Sequence, residues 1–357
     1  MAQKYKILVI NPGSTSTKLS IYENETEIFN KTIQHKSDEF ENCETMLDQK
    51  PLRLNYVREF LKETMEAETI DAVVGRGGIV SPLNSGTYLV NEKMKEDLVD
   101  ESASAHASSL GGLIAENIAS ELGVPAYVVD PVVVDEMEPY AKMTGFPGIE
   151  RKSVFHALNA KAVARKCAVE LGLAYENGRF VVAHMGGGIS VGAHRYGRVI
   201  DVNDAIAGEG PFTPERCGSV PIEPIIEMCY SGKIEKQEML DMLRKHGGMA
   251  SYLGTNNLKQ VEKMIRDGDE YAALVVDSMA YQVSKEIGAM VAALEGRVDA
   301  IILTGGLAFS DRFTGSIKQR VDQIARVFTY PGEDEMSALA LGALRVLTGE
   351  EKVSVYE

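Results

Sequence analysis

Two segments about half a chain apart follow one plan, and that repetition limits what the 357 residues can fold into. Lys6–Tyr22 reads as a strand, a polar Asn-Pro-Gly-Ser-Thr-Ser-Thr turn and a second strand, Lys18–Tyr22. Phe180–Ala193 repeats the plan with a His-Met-Gly-Gly-Gly turn and a return strand at Ile189–Ala193. Small polar residues between short apolar runs are the signature of a hairpin. Two such hairpins predict two related domains, each opening with the same unit, its tip facing a shared central cleft. No low-complexity tract or Pro/Ser-rich linker intervenes. A compact crossover near residue 150 is therefore expected, with Gly145-Phe146-Pro147-Gly148 as the candidate hinge. The expected division sets 1–150 plus a C-terminal helix, 335–357, against 151–334.

Strand and helix patterns alternate along the chain, which predicts an α/β fold. Short apolar strands are readable at Lys6–Ile10, Asp71–Val74, Ala126–Val129, Phe180–Ala183 and Ala300–Leu303. Helical periodicity marks Ser109–Leu122, where Leu110, Leu113, Ile114, Ile118 and Leu122 share a face. Lys152–Leu171, Glu270–Leu294 and Ser337–Leu347 are further helical stretches. The net charge of −15 argues against a nucleic-acid partner, because phosphate backbones require Lys/Arg neutralisation. Cys43, Cys167, Cys217 and Cys229 form no Cys-x-x-Cys pair and no zinc spacing, and are expected as free thiols. No apolar run approaches the ~20 residues of a membrane span. A soluble, cytoplasmic protein without a membrane partner is expected.

Glycine is in excess: 33 residues, against about 25 at the average usage. The excess clusters at Gly77-Gly78, Gly111-Gly112, Gly186-Gly187-Gly188, Gly247-Gly248 and Gly305-Gly306, which points first to loops where backbone approaches a ligand. The first hairpin turn, Asn11-Pro12-Gly13-Ser14-Thr15-Ser16-Thr17-Lys18, offers convergent donors suited to phosphate oxygens, although it is no Walker A loop. An ordinary polar turn would read the same way. The second turn has three successive glycines, tolerable where a ligand must touch the main chain. Ala300–Leu303 runs into Thr304-Gly305-Gly306, a strand ending in paired glycines as at many nucleotide sites.

Together these loops resemble the two phosphate motifs and the adenosine motif of the acetate and sugar kinase/Hsp70/actin superfamily. Within it the chain resembles the acetate kinase (acetokinase) family. The resemblance runs through Asn11–Lys18, Gly75-Arg76-Gly77-Gly78, Ser153-Val154-Phe155-His156-Ala157-Leu158-Asn159, His184–Gly188 and Pro214-Glu215-Arg216-Cys217-Gly218-Ser219. It implies two domains of ribonuclease H-like/actin-like ATPase fold, ATP/ADP and Mg²⁺ as cofactors, and a homodimer or higher homo-oligomer. The implied activity is phosphoryl transfer from ATP to a short-chain carboxylate, butanoate being the expected acceptor. Acetate, propionate or a branched acid is the alternative within that class. An actin/Hsp70-like ATP-driven switch is the alternative of another class.

The resemblance also implies roles. A carboxylate attacking a polyanionic phosphoryl group needs guanidinium donors that bridge both anions, and Arg76 and Arg216 match the family's paired arginines. His184 matches the histidine that stabilises the transition state, and Asp130 resembles the carboxylate near Mg²⁺. Around Asp130 the chain reads Val129-Asp130-Pro131-Val132-Val133-Val134-Asp135, where acetate kinases read Phe-Asp-Thr-Ala-Phe-His. The valines either line a pocket for a longer acyl chain or belong to the core. The nucleotide is expected on Asn11, Ser14, Ser16, Lys18, Gly186, Gly187, Gly188, Gly305 and Gly306, and the metal near Asn11, Asp130 and Glu335 with Asp334 beside it. Helix capping equally explains acidic residues at a helix start. His106 and His156 match family histidines less closely and read equally well as structural.

Overall fold

The computed structural model describes residues 3–41, 43–65, 69–100 and 107–357. The chain divides into two compact units, Met1–Val134 with Asp334–Glu357, and Asp135–Glu333. In the first unit, β1 (Lys6–Pro12), β2 (Ser16–Glu23) and β3 (Thr26–Gln34) form an antiparallel meander. After α1 (Lys50–Thr64) the chain adds β4 (Ala72–Arg76) parallel to β1. Next come β5 (Thr87–Leu89), α2 (Glu92–Val99), α3 (Ser109–Leu122) and β6 (Ala126–Val129). The resulting sheet has the order β3-β2-β1-β4-β6-β5.

The second unit contains α4 (Pro139–Lys142), α5 (Ala157–Glu170), β7 (Arg179–Met185), β8 (Ile189–Arg195) and β9 (Arg198–Val202). A helical stretch follows: α6 (Ile222–Tyr230), α7 (Lys236–Arg244), α8 (Gly248–Leu253), α9 (Leu258–Arg266) and α10 (Glu270–Ala293). Then come β10 (Ala300–Gly305), α11 (Asp311–Val321) and β11 (Val327–Pro331). The sheet order is β11-β10-β7-β8-β9. Read from the meander outward, this is the plan of the first sheet: three antiparallel strands, then two strands parallel to the first. The first sheet differs by its extra edge strand β5. The chain closes with α12 (Glu335–Leu347), which packs on β1 and β4 of the first unit.

Each sheet has its own core. Leu8, Ile10, Leu19, Ile21 and Val73 pack with Leu110, Leu113, Ile114 and Ile118 of α3 in the first. Val181, Val191, Ile301 and Leu303 pack with Val276, Met279, Val283 and Ile287 of α10 in the second. Strands β1 and β7 are buried almost throughout, as expected for strands covered on both faces. Asp269 starts α10 by accepting from Ala272 N at 2.9 Å, and Gly123, at φ +70°, ends α3.

Three expectations change. The unit boundary falls at Val134/Asp135, ahead of the crossover expected near residue 150. The segment after it is bonded into the second unit: Glu136 Oε2 accepts from Lys161 Nζ (2.8 Å) and Val199 N (2.9 Å), and Glu138 N donates to Ile200 O (2.9 Å). Gly145–Gly148 lies within that unit, in an exposed turn closed by a Met143↔Glu150 bridge. The helix expected from Lys152 starts only at Ala157, because Val154 O accepts from Ala205 N outside any helix. The four cysteines are free, and no helix among the described residues is long and apolar enough to cross a membrane.

Candidate functional site

In the first unit three candidates meet on one carboxylate. Asn11 ends β1, Arg76 ends the neighbouring strand β4, and Glu335 opens α12. Asn11 Nδ2 donates to Glu335 Oε2 at 2.7 Å. Arg76 grips the same group by both nitrogens, Nη1 to Oε2 at 3.0 Å and Nη2 to Oε1 at 2.8 Å. A bidentate guanidinium–carboxylate pair, partly buried, is among the stronger polar contacts. Asp334 has another job: its side chain accepts from Ser337 N (3.3 Å) as the N-cap of α12. Asp130 is buried at φ +38°, and its Oδ1 accepts from Ser85 Oγ (2.6 Å) and Gly86 N (2.9 Å). Asp135 lies across the unit boundary and pairs with Lys142 Nζ at 2.6 Å. Val133 and Val134 are buried, with Val133 in the core of the first unit.

The glycines beside Arg76 serve packing, against the expectation of space for a ligand. A Cβ on Gly75 would stand 2.1 Å from Gly111 O, and one on Gly111 would stand 2.3 Å from Arg76 O. Strand β4 and helix α3 thus touch backbone to backbone, which fixes the base from which Arg76 projects.

In the second unit the triple glycine gathers the rest. A Cβ on Gly188 would meet Arg216 Nη1 at 2.0 Å, so the guanidinium lies directly against the bare main chain. Arg216 Nη1 also donates to Ala205 O at 2.5 Å. Burial pulls this guanidinium below its usual range, with Glu215 and Asp204 partly restoring it. Thr213, which the sequence reading passed over, sets the turn. Its hydroxyl donates to Gly187 O (2.6 Å) and accepts from Arg216 N (2.9 Å).

His184, buried near the end of β7, stacks on His156 with ring centroids 3.8 Å apart and planes 6° from parallel. His156 Nδ1 lies 3.0 Å from Ser190 Oγ. Asn159 Nδ2 lies 2.9 Å from His184 Nδ1 and donates to Thr304 Oγ1 at 3.2 Å. With the amide placed as donor, Nδ1 accepts and Nε2 carries the proton. Nε2 is 3.0 Å from Glu333 Oε1, within ion-pair distance but angled outside a hydrogen bond. His156 and Asn159 are therefore first neighbours of His184, and their spacing in Ser153–Asn159 is the signal that could have placed both.

The remaining candidates divide. Ser14 and Lys18 are exposed around the first tip and Ser16 is half-buried. Gly305, at φ +88°, sits where a Cβ would strike Met185 O at 2.4 Å, whereas Gly306 faces open space. His106 lies outside the described residues. A cavity of about 610 Å³ in the second unit, lined by residues such as Phe212, Met239, Met242 and Leu274, is bordered by the Gly247-Gly248 pair but by none of the catalytic, nucleotide or metal candidates.

Among the described residues no three His, Cys, Asp or Glu side chains gather as a cation cage. What gathers is one carboxylate, Glu335, with the Asn11 amide and Asp334 adjacent. That donor set suits an ion arriving with phosphate oxygens and water, the habit of Mg²⁺ rather than of a caged metal.

The fold of the chain is similar to that of known proteins. The fold matches an acetate kinase from Porphyromonas gingivalis at TM-score 0.79 and 19% identity, covering 96% of this chain and 100% of that one. It matches an acetate kinase from Entamoeba histolytica at 0.76 and 16%, covering 94% and 98%. A propionate kinase from Francisella tularensis subsp. tularensis SCHU S4 gives 0.74 and 18%, covering 95% and 98%. The model of the Acetokinase family matches residues 141–318, most of the second unit. Over that span the second unit is similar to the acetokinase family, and the chain as a whole has the two-domain, actin-like fold shared with these acetate and propionate kinase structures.

Proposed function

We propose that this protein is a short-chain carboxylate kinase of the butyrate kinase type, catalysing ATP + butanoate = ADP + butanoyl phosphate. The observation that carries the reading is the convergence of Asn11 and Arg76 on Glu335, residues from β1, β4 and α12 that only the tertiary fold brings together. Arg76 already holds a carboxylate by both nitrogens, the recognition mode an organic acid requires. Arg216 and the Nε2–H of His184 supply donors for the equatorial oxygens of the transferring phosphoryl group. No general acid or base is needed, since the carboxylate is already ionised at neutral pH. Glu335, Asn11 and Asp334 are the residues that would hold Mg²⁺, which when bound offsets phosphate charge. The glycines of the second tip let the phosphates approach the main chain, with Gly305-Gly306 at the nucleotide.

Selectivity among acids is the finer part of the proposal, since one methylene in a pocket is worth only ~1–3 kcal/mol. The test is a hydroxamate assay with ATP, Mg²⁺, hydroxylamine and a series of acids. Butanoyl hydroxamate should form with the highest kcat/KM, ahead of acetate, propionate, isobutyrate and isovalerate. A different order moves the preference within the class. ATP hydrolysis with no acyl product from any acid removes the kinase reading and favours a nucleotide-driven switch.

A further inference from the structure

The first hairpin tip stands on a buried guanidinium. Arg53, on α1, is wholly out of solvent, and neutral acceptors saturate its fork. Nη2 donates to Gly13 O (2.9 Å) and Gln49 Oε1 (2.8 Å). Nη1 donates to Thr17 Oγ1 (2.8 Å) and Ser16 O (3.3 Å), and Nε to Gln49 Oε1 (3.2 Å). The group also lies over the Phe40 ring, 5.3 Å from its centroid. Among the described residues no carboxylate pairs with it. Burial lowers its pKa only to about 10, so it stays cationic at neutral pH.

A buried cation is ordinarily stabilised by a carboxylate, and removing that partner is strongly unfavourable. Here the place of the carboxylate is taken by the very residues that make the turn. Gly13 N donates to Ser16 O at 2.7 Å, so one of the carbonyls gripped by Arg53 is the one that closes the tip. A trans peptide points its C=O and N–H in opposite directions. With Gly13 O turned in toward Arg53, the Ser14 N–H is turned outward, on the side where Ser14 and Lys18 are exposed. The Thr17 hydroxyl is shared with His35 Nε2 at 2.8 Å, which fixes the base of the turn from its other side.

We propose that Arg53 is the positioning residue and buried counter-charge of the first hairpin tip. It holds residues 13–17 in the form that receives an anion and supplies the positive charge that the phosphoryl groups of a nucleotide complete. The inference rests on the nucleotide-binding part of the reading above. It makes the tip electrostatically incomplete until phosphate arrives, a property that hydroxyls and N–H groups alone would not give.

Gln49→Glu is the discriminating variant. It replaces the neutral acceptor already touching Nε and Nη2 with a carboxylate of equal length, so Arg53 gains a counterion and loses no hydrogen bond. The expected result, by calorimetric titration with ATP and by thermal melting, is a midpoint at or above that of the wild type together with an ATP Kd raised about tenfold. A stabilised variant with unchanged ATP affinity would mean that Arg53 is structural only, and would overturn the proposal. Arg53→Lys and Arg53→Met give a second reading: the lysine, which keeps the charge, should retain more ATP affinity than the methionine. Equal losses in the two would also overturn it. Wild-type protein that binds ATP but yields no acyl hydroxamate defeats the kinase reading and leaves this binding series intact. Wild-type protein that makes acyl hydroxamate, with Gln49→Glu binding ATP normally, defeats only the role of Arg53.

Discussion

The two hairpins share one strand plan and differ at their tips. In the first, a hydroxyl-rich turn closes over Arg53, which reaches the turn through its carbonyls from beneath. In the second, bare backbone lies flank to flank with Arg216, and Thr213 ties the arginine's turn to Gly187. One scaffold thus carries a guanidinium in two ways, buried and indirect or half-buried and adjacent. The difference predicts where a side chain is tolerated: a Cβ on Gly13 meets nothing nearer than Ser16 O at 3.5 Å, whereas one on Gly188 collides with Arg216.

The largest expected effect tests the adjacent arginine. Arg216→Ala should cost ~10²–10³-fold in kcat/KM for acyl hydroxamate formation, as loss of a transition-state donor does, and a loss below about fivefold would remove it from the chemistry. Arg76→Ala should fall in the same range, and it also leaves Glu335 without its bidentate partner. Next is stability. Gly75→Ala forces a methyl group against the Gly111 carbonyl, and overpacking of this kind costs ~1–3 kcal/mol or more, read as a lowered urea midpoint. An unchanged midpoint would show that β4 and α3 can separate without penalty.

Smaller effects sharpen the contrast between the tips. Gly188→Ala should reduce kcat/KM about tenfold at near-normal stability by displacing the Arg216 guanidinium, whereas Gly13→Ala should stay within about twofold. Equal effects at both glycines would erase the distinction. The smallest effect is on pH dependence. Burial lowers the pKa of His35 beneath the first tip and, further, of His194 in β8, with Arg53 adding to the first and Lys161 and Arg165 to the second. A base held below its unfolded pKa contributes stability that is full above about pH 6.5 and is lost as pH falls from there through the lowered folded-state pKa, at up to ~1.4 kcal/mol per pH unit for each group. Urea midpoints between pH 7.5 and 5.5 should show this decline, and His35→Asn should flatten part of it.

Much of the fold was legible because its signals are local. Ser109–Leu122 and Ala126–Val129 coincide with α3 and β6, since a continuous apolar face and a short buried run declare themselves without tertiary help. The repeated hairpins foretold the matching sheet orders. At the candidate site, residue type and motif singled out Arg76, Arg216 and His184, which the fold sets against Glu335, Gly188 and His156 respectively. Long-range pairing was not. Nothing in Leu47–Thr64 distinguishes Arg53 from a solvated helix arginine, because its burial depends on a turn 40 residues earlier. The glycines at 78 and 111 were misread for the same reason: close backbone packing and ligand approach favour the same residue, and only the neighbour in space separates them.

Glu335 and the helix it opens have a consequence for how the molecule is made. Strands β1 to β6 are synthesised before the second unit, yet α12, which covers β1 and β4 and brings Glu335 to Asn11 and Arg76, is synthesised after it. The interior half of the chain can complete its sheet while the opening half still waits for a helix not yet translated. Vectorial folding therefore runs inside-out here, and the strands made before the second unit find all their neighbours only after it.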